Sequence, residues 1–513
     1  MLKTLARNTF SNGAGIAGKV LINFLLTPFL ILHLGKDLYG VWILLLSFSV
    51  SGTLSLLSLG MQAALVKHVA EYRALGKRRE LNQLISSTLY VYASMGVVGA
   101  FGLLWFSLGW FTRWFAIPAG QAQTAILMLD LMAVQVAVEL PGMCFDGVLG
   151  GLQRYDILAA LELGKSALLA VLFAVVLLHG ATIVALSRVT LAVTFFHALA
   201  LLAFASAELG RWRLVWRFER TQLLSVVDMT KDLLILRLNG IIYNNMDKMI
   251  IAAVLSTAMV TNYDIGNRIH SMALMVMGLA GTVVIPAASA AHARSESEAI
   301  RAMFLKGTKY ALAMTLPVVS TLFVLAPSLI RYWISPQYVG SAFYARLFLS
   351  YMLFWSVTSV GWNMLIGVRQ TKPIVRIQLV SVAINLGLSL VLVRHVGVSG
   401  VVYGTMMGNL VAFFPYMRLM MRSFKVTAKE IFFAAILTTY PQALASTASL
   451  LLLMRVWEPG SMGEVIVQAV FAVAVYVALF AMTGMSRAER RQAWDLLPLG
   501  MGKQRYAGAQ QRP

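Results

Sequence analysis

Apolar stretches of about twenty residues recur from one end of the chain to the other, separated by short polar gaps. A helix of that length matches the hydrocarbon thickness of a bilayer. Lipid admits only helices and closed barrels, because it offers no partner to an open backbone group. The pattern predicts an all-α polytopic membrane protein of about fourteen transmembrane helices. They fall near 12–33, 40–66, 83–107, 122–146, 157–178, 182–206, 232–255, 262–290, 308–330, 342–366, 374–393, 400–417, 431–453 and 465–484. Charged residues make up 12% of the 513, whereas a water-facing protein carries about 25%. The missing solvent is lipid.

The net charge is +21, from 42 Lys and Arg against 21 Asp and Glu. Nucleic-acid binding would need that charge gathered on a polar domain, and the sequence has none. The basic residues instead alternate between gaps. One set holds clusters such as Lys67, Arg73, Lys77, Arg78 and Arg79, or Arg418, Arg422, Lys425 and Lys429. The opposite set holds only Lys36, Arg113, Arg331, Arg394 and Arg455. By the positive-inside rule both termini are cytoplasmic. The first apolar stretch lacks a small-residue cleavage site and reads as a helix rather than a removed signal peptide. The single cysteine, Cys144, rules out a disulfide framework.

A weak repeat runs through the chain. The fifth and sixth helices match the eleventh and twelfth at constant offset: Gly151 with Gly367, Leu163 with Leu379, Ala167 with Ala383, His179 with His395. The loop LGKDLYGVW after the first helix is echoed by LSTAMVTNYDIG after the seventh. This predicts two pseudo-symmetric six-helix bundles plus two C-terminal helices around a central cavity. The expected lobes are 1–210 and 211–425, then two further helices in 426–485 and a basic cytoplasmic tail, 486–513. Two parallel halves enclosing a cavity form a transporter architecture.

Several residues carry a family likeness. A cytoplasmic Arg7-Asn8 leads into a helix with Asn23 and Pro28, then an LGxxxYG turn of Leu34, Gly35, Tyr39 and Gly40. The seventh helix ends in Asp247, Lys248 and Ile251, and the eighth opens on N-Y-D-I-G. Over nearly its whole length the chain resembles the Wzx-like oligosaccharide flippases, polysaccharide-biosynthesis exporters of the multidrug/oligosaccharidyl-lipid/polysaccharide superfamily. It also shares the six-plus-six-plus-two count of the lipid II flippases. The resemblance implies a bacterial inner-membrane protein that is no enzyme and needs no cofactor. It would translocate an undecaprenyl-pyrophosphate-linked oligosaccharide from the cytoplasmic to the periplasmic leaflet. Na⁺ or protons, and glycan polymerase or export proteins, are the expected partners. The lipid II flippases carry arginines in their first, second and eighth helices. Here Arg268 suits the eighth, only Lys19 suits the first, and the second has no basic residue before Lys67. That departure argues for a different lipid-linked oligosaccharide.

Ionisable groups in hydrocarbon are costly and usually face protein or water. Arg237, Asn244 and Lys248 form one stripe on the seventh helix, about 16 Å long, with Asp247 beside it. Asp264 and Arg268 stand four apart on the eighth helix and can pair. The candidate cationic surface for a pyrophosphate is Arg237, Lys248 and Arg268, with Lys19, Asn23 and Asn244 adding charge and hydrogen-bonding groups. Asp247 and Asp264 would balance those cations or respond to Na⁺ or protons. The structural alternative is a static salt-bridge cluster tying the two helices together. Glu162 and Lys165, three apart, can neutralise each other, and Asp130 and Glu139 can clamp neighbouring helices.

No phosphate-binding loop, HExxH or Gly-x-Ser-x-Gly elbow occurs. Two rival functions stand beside the flippase. A cation-coupled multidrug antiporter of the same superfamily would usually have twelve helices, often with an acidic residue in the first, which is absent here. A glycan polymerase or ligase would present a long outer loop bearing catalytic residues, whereas the longest outer loops here span about a dozen residues.

Overall fold

The computed structural model describes residues 2–58, 61–210, 212–215, 240–241, 245–282 and 284–496. Arg237 and Asn244 lie outside the described residues. Among the described residues, ten helical segments are long and apolar enough to cross a bilayer, from Gly18–Leu46 to Met462–Gly484, and no strand occurs. The chain is an all-α multi-pass membrane protein. The other expected crossings are broken helices or fall partly outside the described residues. The chain divides into two compact units, Met1–Arg268 with Val375–Gly408, and Ile269–Ile374 with Asn409–Pro513.

The first unit opens with α1 (Leu2–Leu46), which is two helices joined across Gly35 at φ 73°, ψ 173°. Glycine reaches that region without a Cβ penalty, so the first crossing ends there. The next helix, 36–46, closes on the start of α9 (Thr257–Thr282). A Cβ at Gly40 would stand 1.9 Å from the Thr257 carbonyl oxygen, and Thr261 Oγ1 donates to the Lys36 carbonyl at 2.6 Å. Only glycine permits that approach.

The continuous second helix expected over 40–66 is interrupted. Residues 47–58 form turns and a short 3-10 segment (Thr53–Ser58), and the helix resumes as α2 (Met61–Ala74). The stretch SFSVSGTLSLLS supplies the reason. Ser49, Thr53, Ser55 and Ser58 hydroxyls donate to nearby carbonyls, competing with the helical ladder. Irregular backbone at membrane depth is tolerated where it is buried or lines a wet cavity.

Around it stand α3 (Arg78–Ser107), α5 (Ala122–Gly151), α6 (Tyr155–Leu178) and α7 (Ile183–Leu209). A short helix, α4 (Phe111–Trp114), sits between α3 and α5. α3 packs on α5 where a Gly96 Cβ would meet the Ala137 backbone at 3.2 Å. α1 packs on α6 where Gly15 faces Ala159. A further helix, α8, spans 245–254. The unit is completed by most of α14 (Thr371–Val396) and the first part of α15 (Val398–Phe424).

The second unit holds the rest of α9, α10 (Val284–Ala293) and the long α11 (Ser297–Trp333). Its tenth crossing is also broken, as α12 (Ala342–Trp355), a 3-10 turn and α13 (Ser359–Gly367). The last two crossings, Ala428–Val456 and Met462–Gly484, join α16 (Ala428–Ile431) to α17 (Tyr440–Val456) and extend α18 (Met462–Leu479), each through a π-turn. The amphipathic α19 (Arg487–Leu496) follows.

Candidate functional site

The broken second crossing opens a cavity of about 710 Å³ within the first unit. Its wall carries Ser51, Ser55 and Ser58 from the break, Glu139 and Asp146 from α5, Glu162 from α6, and Asn245, Lys248 and Asn267 from α8 and α9. Two charge clusters meet this space.

The first lies where α8, α9 and the 36–46 helix converge. Asp264 is 3% exposed. Its carboxylate accepts from Tyr39 Oη at 2.8 Å and Arg268 Nε at 2.7 Å, and Lys248 Nζ stands 3.5 Å away. Two cations therefore share one buried anion, leaving a net positive charge. Asp247, equally buried, accepts from Tyr263 Oη at 2.7 Å and Thr405 Oγ1 at 3.0 Å. Among the described residues no ammonium or guanidinium lies within ion-pair distance of it. Thr405 accepts in turn from Asn385 Nδ2 at 3.1 Å, extending the polar chain into α14.

The second cluster ties α1, α5 and α6. Lys19 Nζ meets Glu162 Oε2 at 3.1 Å, Lys165 Nζ meets Glu139 Oε1 at 3.3 Å, and His197 Nε2 lies 3.7 Å from Glu162. Asp146 accepts from Gln62 Nε2 at 2.6 Å. The Glu162–Lys165 pair expected along α6 does not form. Each residue finds a nearer partner on a neighbouring helix. The clamp reading of Asp130 and Glu139 holds, with Asp130 accepting from Ser107 Oγ of α3 at 2.6 Å.

Of the residues singled out in the sequence, the structure gathers Lys248, Arg268 and Asp264, with Asp247 next in chain. Lys19 stands apart on Glu162, and Asn23 is exposed on α1, its carbonyl accepting from Thr27. Sequence reasoning missed Tyr39, Tyr263 and Thr405 as partners of the buried aspartates. It also missed Glu139, Asp146 and Glu162 as cavity wall. Tyr39 and Tyr263 were within reach, since both belong to the quoted loop motifs. Thr405 sits in an apolar helix and gave no signal.

The described residues thus form a helix bundle with a broken crossing and ionisable groups around a polar hollow. A model of the polysaccharide biosynthesis protein family matches residues 34–343, more than half of the chain, and the chain belongs to that family. This bears out the resemblance read from its loops. Among solved structures, it is similar to the lipid II flippase MurJ in an inward closed conformation, with TM-score 0.69 and 12% identity over 94% of this chain and 98% of that one. It is also similar to a multidrug resistance MATE family transporter of the MOP superfamily. The inward-facing form gives TM-score 0.65 and 15% identity, the outward-facing form 0.60 and 16%, each over 82% of this chain and 96% of that one. At such identities the likeness is one of fold. No curated protein matches the chain.

Proposed function

We propose that the chain is a flippase carrying an undecaprenyl-pyrophosphate-linked oligosaccharide from the cytoplasmic to the periplasmic leaflet of a bacterial inner membrane, with both termini cytoplasmic. The observation that carries this reading is the Lys248–Asp264–Arg268 cluster, with Lys248 on the cavity wall. A pyrophosphate in a low-dielectric passage needs fixed cations. It must also be released, and a site of bare cations would hold it. Asp264 supplies the competing anion. A headgroup arriving at Lys248 displaces the weaker, 3.5 Å pairing and leaves Arg268 to neutralise Asp264. Departure of the headgroup restores the pair. Asn245 and Asn267 flank Lys248 on the cavity wall and suit the sugar hydroxyls.

Asp247 is the candidate coupling group, because hydroxyls hold it and, among the described residues, no cation lies within ion-pair distance of it. A proton or Na⁺ arriving there changes the charge of the helix that carries Lys248. Arg237 and Asn244 belong to the proposed headgroup surface on the strength of their spacing. Lys19 and Asn23 enter it only if Lys19 leaves Glu162. The lobe division at 210 and 425 is the pseudosymmetric frame for alternating access in this reading, and a glycan polymerase is the natural partner downstream.

The test is complementation in cells lacking their own exporter. Arg268→Ala and Lys248→Ala, at normal protein level, should cut surface glycan by about tenfold or more, the worth of a charge-assisted hydrogen bond. Lipid-linked precursor should accumulate on the cytoplasmic face. Normal export by both variants overturns the reading. One observation favours the cation-coupled antiporter instead. Glu139, Asp146 and Glu162 on the cavity wall suit a cationic cargo. Efflux of a cationic dye that is lost in Glu139→Gln, with no effect on glycan, would select it.

A further inference from the structure

A second hollow, of about 310 Å³, lies within the first unit at the basic ends of α2, α3 and α7. Its wall includes Tyr72 and Arg73 from the last turns of α2, Arg78 and Asn82 from the first turns of α3, and Glu208 and Trp212 at the end of α7. The volume equals roughly ten waters, enough for a phosphate and a few attached atoms and too small for an acyl chain.

The walls are built. Trp212 donates its indole N–H to Ser206 Oγ at 2.9 Å and lies against Phe145. The following segment is strapped to α3, Val215 N donating to Ser86 Oγ at 2.9 Å. Glu208, the acidic member of the wall, is already neutralised by Arg154, and its backbone carbonyl accepts from Arg73 Nη1 at 3.2 Å. Among the described residues the Arg78 guanidinium and the Asn82 amide have no protein partner. The hollow thus offers two guanidiniums, an unengaged amide and two aromatic rings, at the depth where three crossing helices end. Arginine clusters at that level recognise lipid phosphates, and Trp and Tyr anchor at the headgroup plane.

We propose that this pocket binds the phosphate headgroup of an acidic lipid, one with net negative charge, in the leaflet on the basic side of the membrane. It is separate from the cavity at Lys248. Arg73 and Arg78 hold the phosphate, Asn82 and Tyr72 meet the polar group beyond it, and Leu75, exposed at the α2–α3 turn, lies against the first acyl carbons.

Two lipids share this chemistry, an acidic phospholipid of the bilayer and the polyprenyl phosphate carrier of a glycan. Only the second rests on the flippase reading. The full chain, purified in detergent, is titrated with phosphatidylglycerol, phosphatidylcholine and undecaprenyl phosphate, and bound lipid is counted by native mass spectrometry. Arg73→Ala with Arg78→Ala should lower affinity for the acidic lipid about 25-fold, near fivefold per arginine. Arg78→Lys, which keeps charge and fold, should lower it about twofold to fivefold. Removing equal charge from another basic gap, by Arg422→Ala with Lys429→Ala, should leave it unchanged. Preference for phosphatidylglycerol assigns a bilayer lipid, and preference for undecaprenyl phosphate assigns the carrier. Equal binding of phosphatidylcholine, or wild-type affinity in the double arginine variant, overturns the proposal. None of these readouts depends on glycan export.

Discussion

The two charge clusters on the main cavity contain the same kinds of residue and differ in how they are held. At Asp264 the carboxylate side chain is 4% exposed and fully engaged by a phenol and two cations. At Glu162 the carboxylate is 41% exposed and Lys19 51%. A buried anion stripped of its cations, or the reverse, is costly, whereas an exposed pair contributes little because water replaces either partner. The first cluster therefore has a fixed geometry that only a strong competing anion alters. In the second, the exposed Lys19–Glu162 pair can exchange partners with water, while Lys165 and Glu139 are more closely held, at 16% and 18% exposed. In the proposed flippase, the phosphate would meet the stiff cationic wall and the rest of the cargo the soft acidic one.

The largest expected effect separates the two walls directly. Asp264→Ala leaves Lys248 and Arg268 without their shared anion, at a cost of about 3–5 kcal/mol. Glu162→Ala should cost less than about 1 kcal/mol. Thermal unfolding of the purified variants in detergent measures both, and equal losses would erase the distinction. Next in size is Gly40→Val. Its Cβ would overlap the Thr257 carbonyl, forcing apart the helices that carry Tyr39 and Asp264, at about 1–3 kcal/mol. Tyr39→Phe, which loses one buried hydrogen bond without a steric change, should cost about 1–2 kcal/mol. If Gly40→Val proves milder than Tyr39→Phe, the close approach does not hold the stiff wall.

The stiff wall was largely legible in the sequence and the soft wall was not. Asp264 and Arg268 stand one helical turn apart, so their pairing follows from spacing alone. The LGxxxYG motif marked a turn, but nothing in it showed that Gly40 closes on Thr257. The long apolar runs revealed the crossings seen among the described residues, because hydropathy is a local property of each helix. Pairings across helices stayed hidden. Glu162 has Lys165 three residues away, yet it pairs with Lys19, 143 positions earlier, because α1 packs on α6 through Gly15 and Gly18. The break in the second crossing was missed for a related reason. SFSVSGTLSLLS is apolar enough to pass as a helix, and its serines act through local hydrogen bonds that hydropathy does not register.

Asp247→Asn sharpens the contrast within the stiff wall. The amide keeps the shape and can still accept from Tyr263 and Thr405 through its oxygen, so stability should change by less than about 2 kcal/mol. In proteoliposomes, transport by this variant should no longer respond to an imposed Na⁺ or pH gradient. An unchanged response would remove Asp247 from coupling and leave it a packing group.

A third ion pair, in the second unit, calibrates the comparison and carries the smallest effect. Lys309 Nζ donates to Glu489 Oε2 at 2.8 Å, and Ser486 N donates to the same oxygen at 2.7 Å. Burial works to raise the Glu489 pKa. The Lys309 ammonium and the Ser486 donors outweigh it and pull the carboxyl down to about 2, against about 4.3 in an unfolded chain. A carboxyl depressed in the folded state stabilises it above the unfolded value, and the contribution fades as pH falls from about 4.3 toward 2. The melting midpoint should therefore be insensitive to this pair between pH 8 and pH 5.5. Glu489→Gln should lower that plateau by about 1–2 °C and flatten part of the acid slope. A parallel acid slope in wild type and variant would show that α19 is held by its packing and capping rather than by this pair. The pair would then belong with the soft wall.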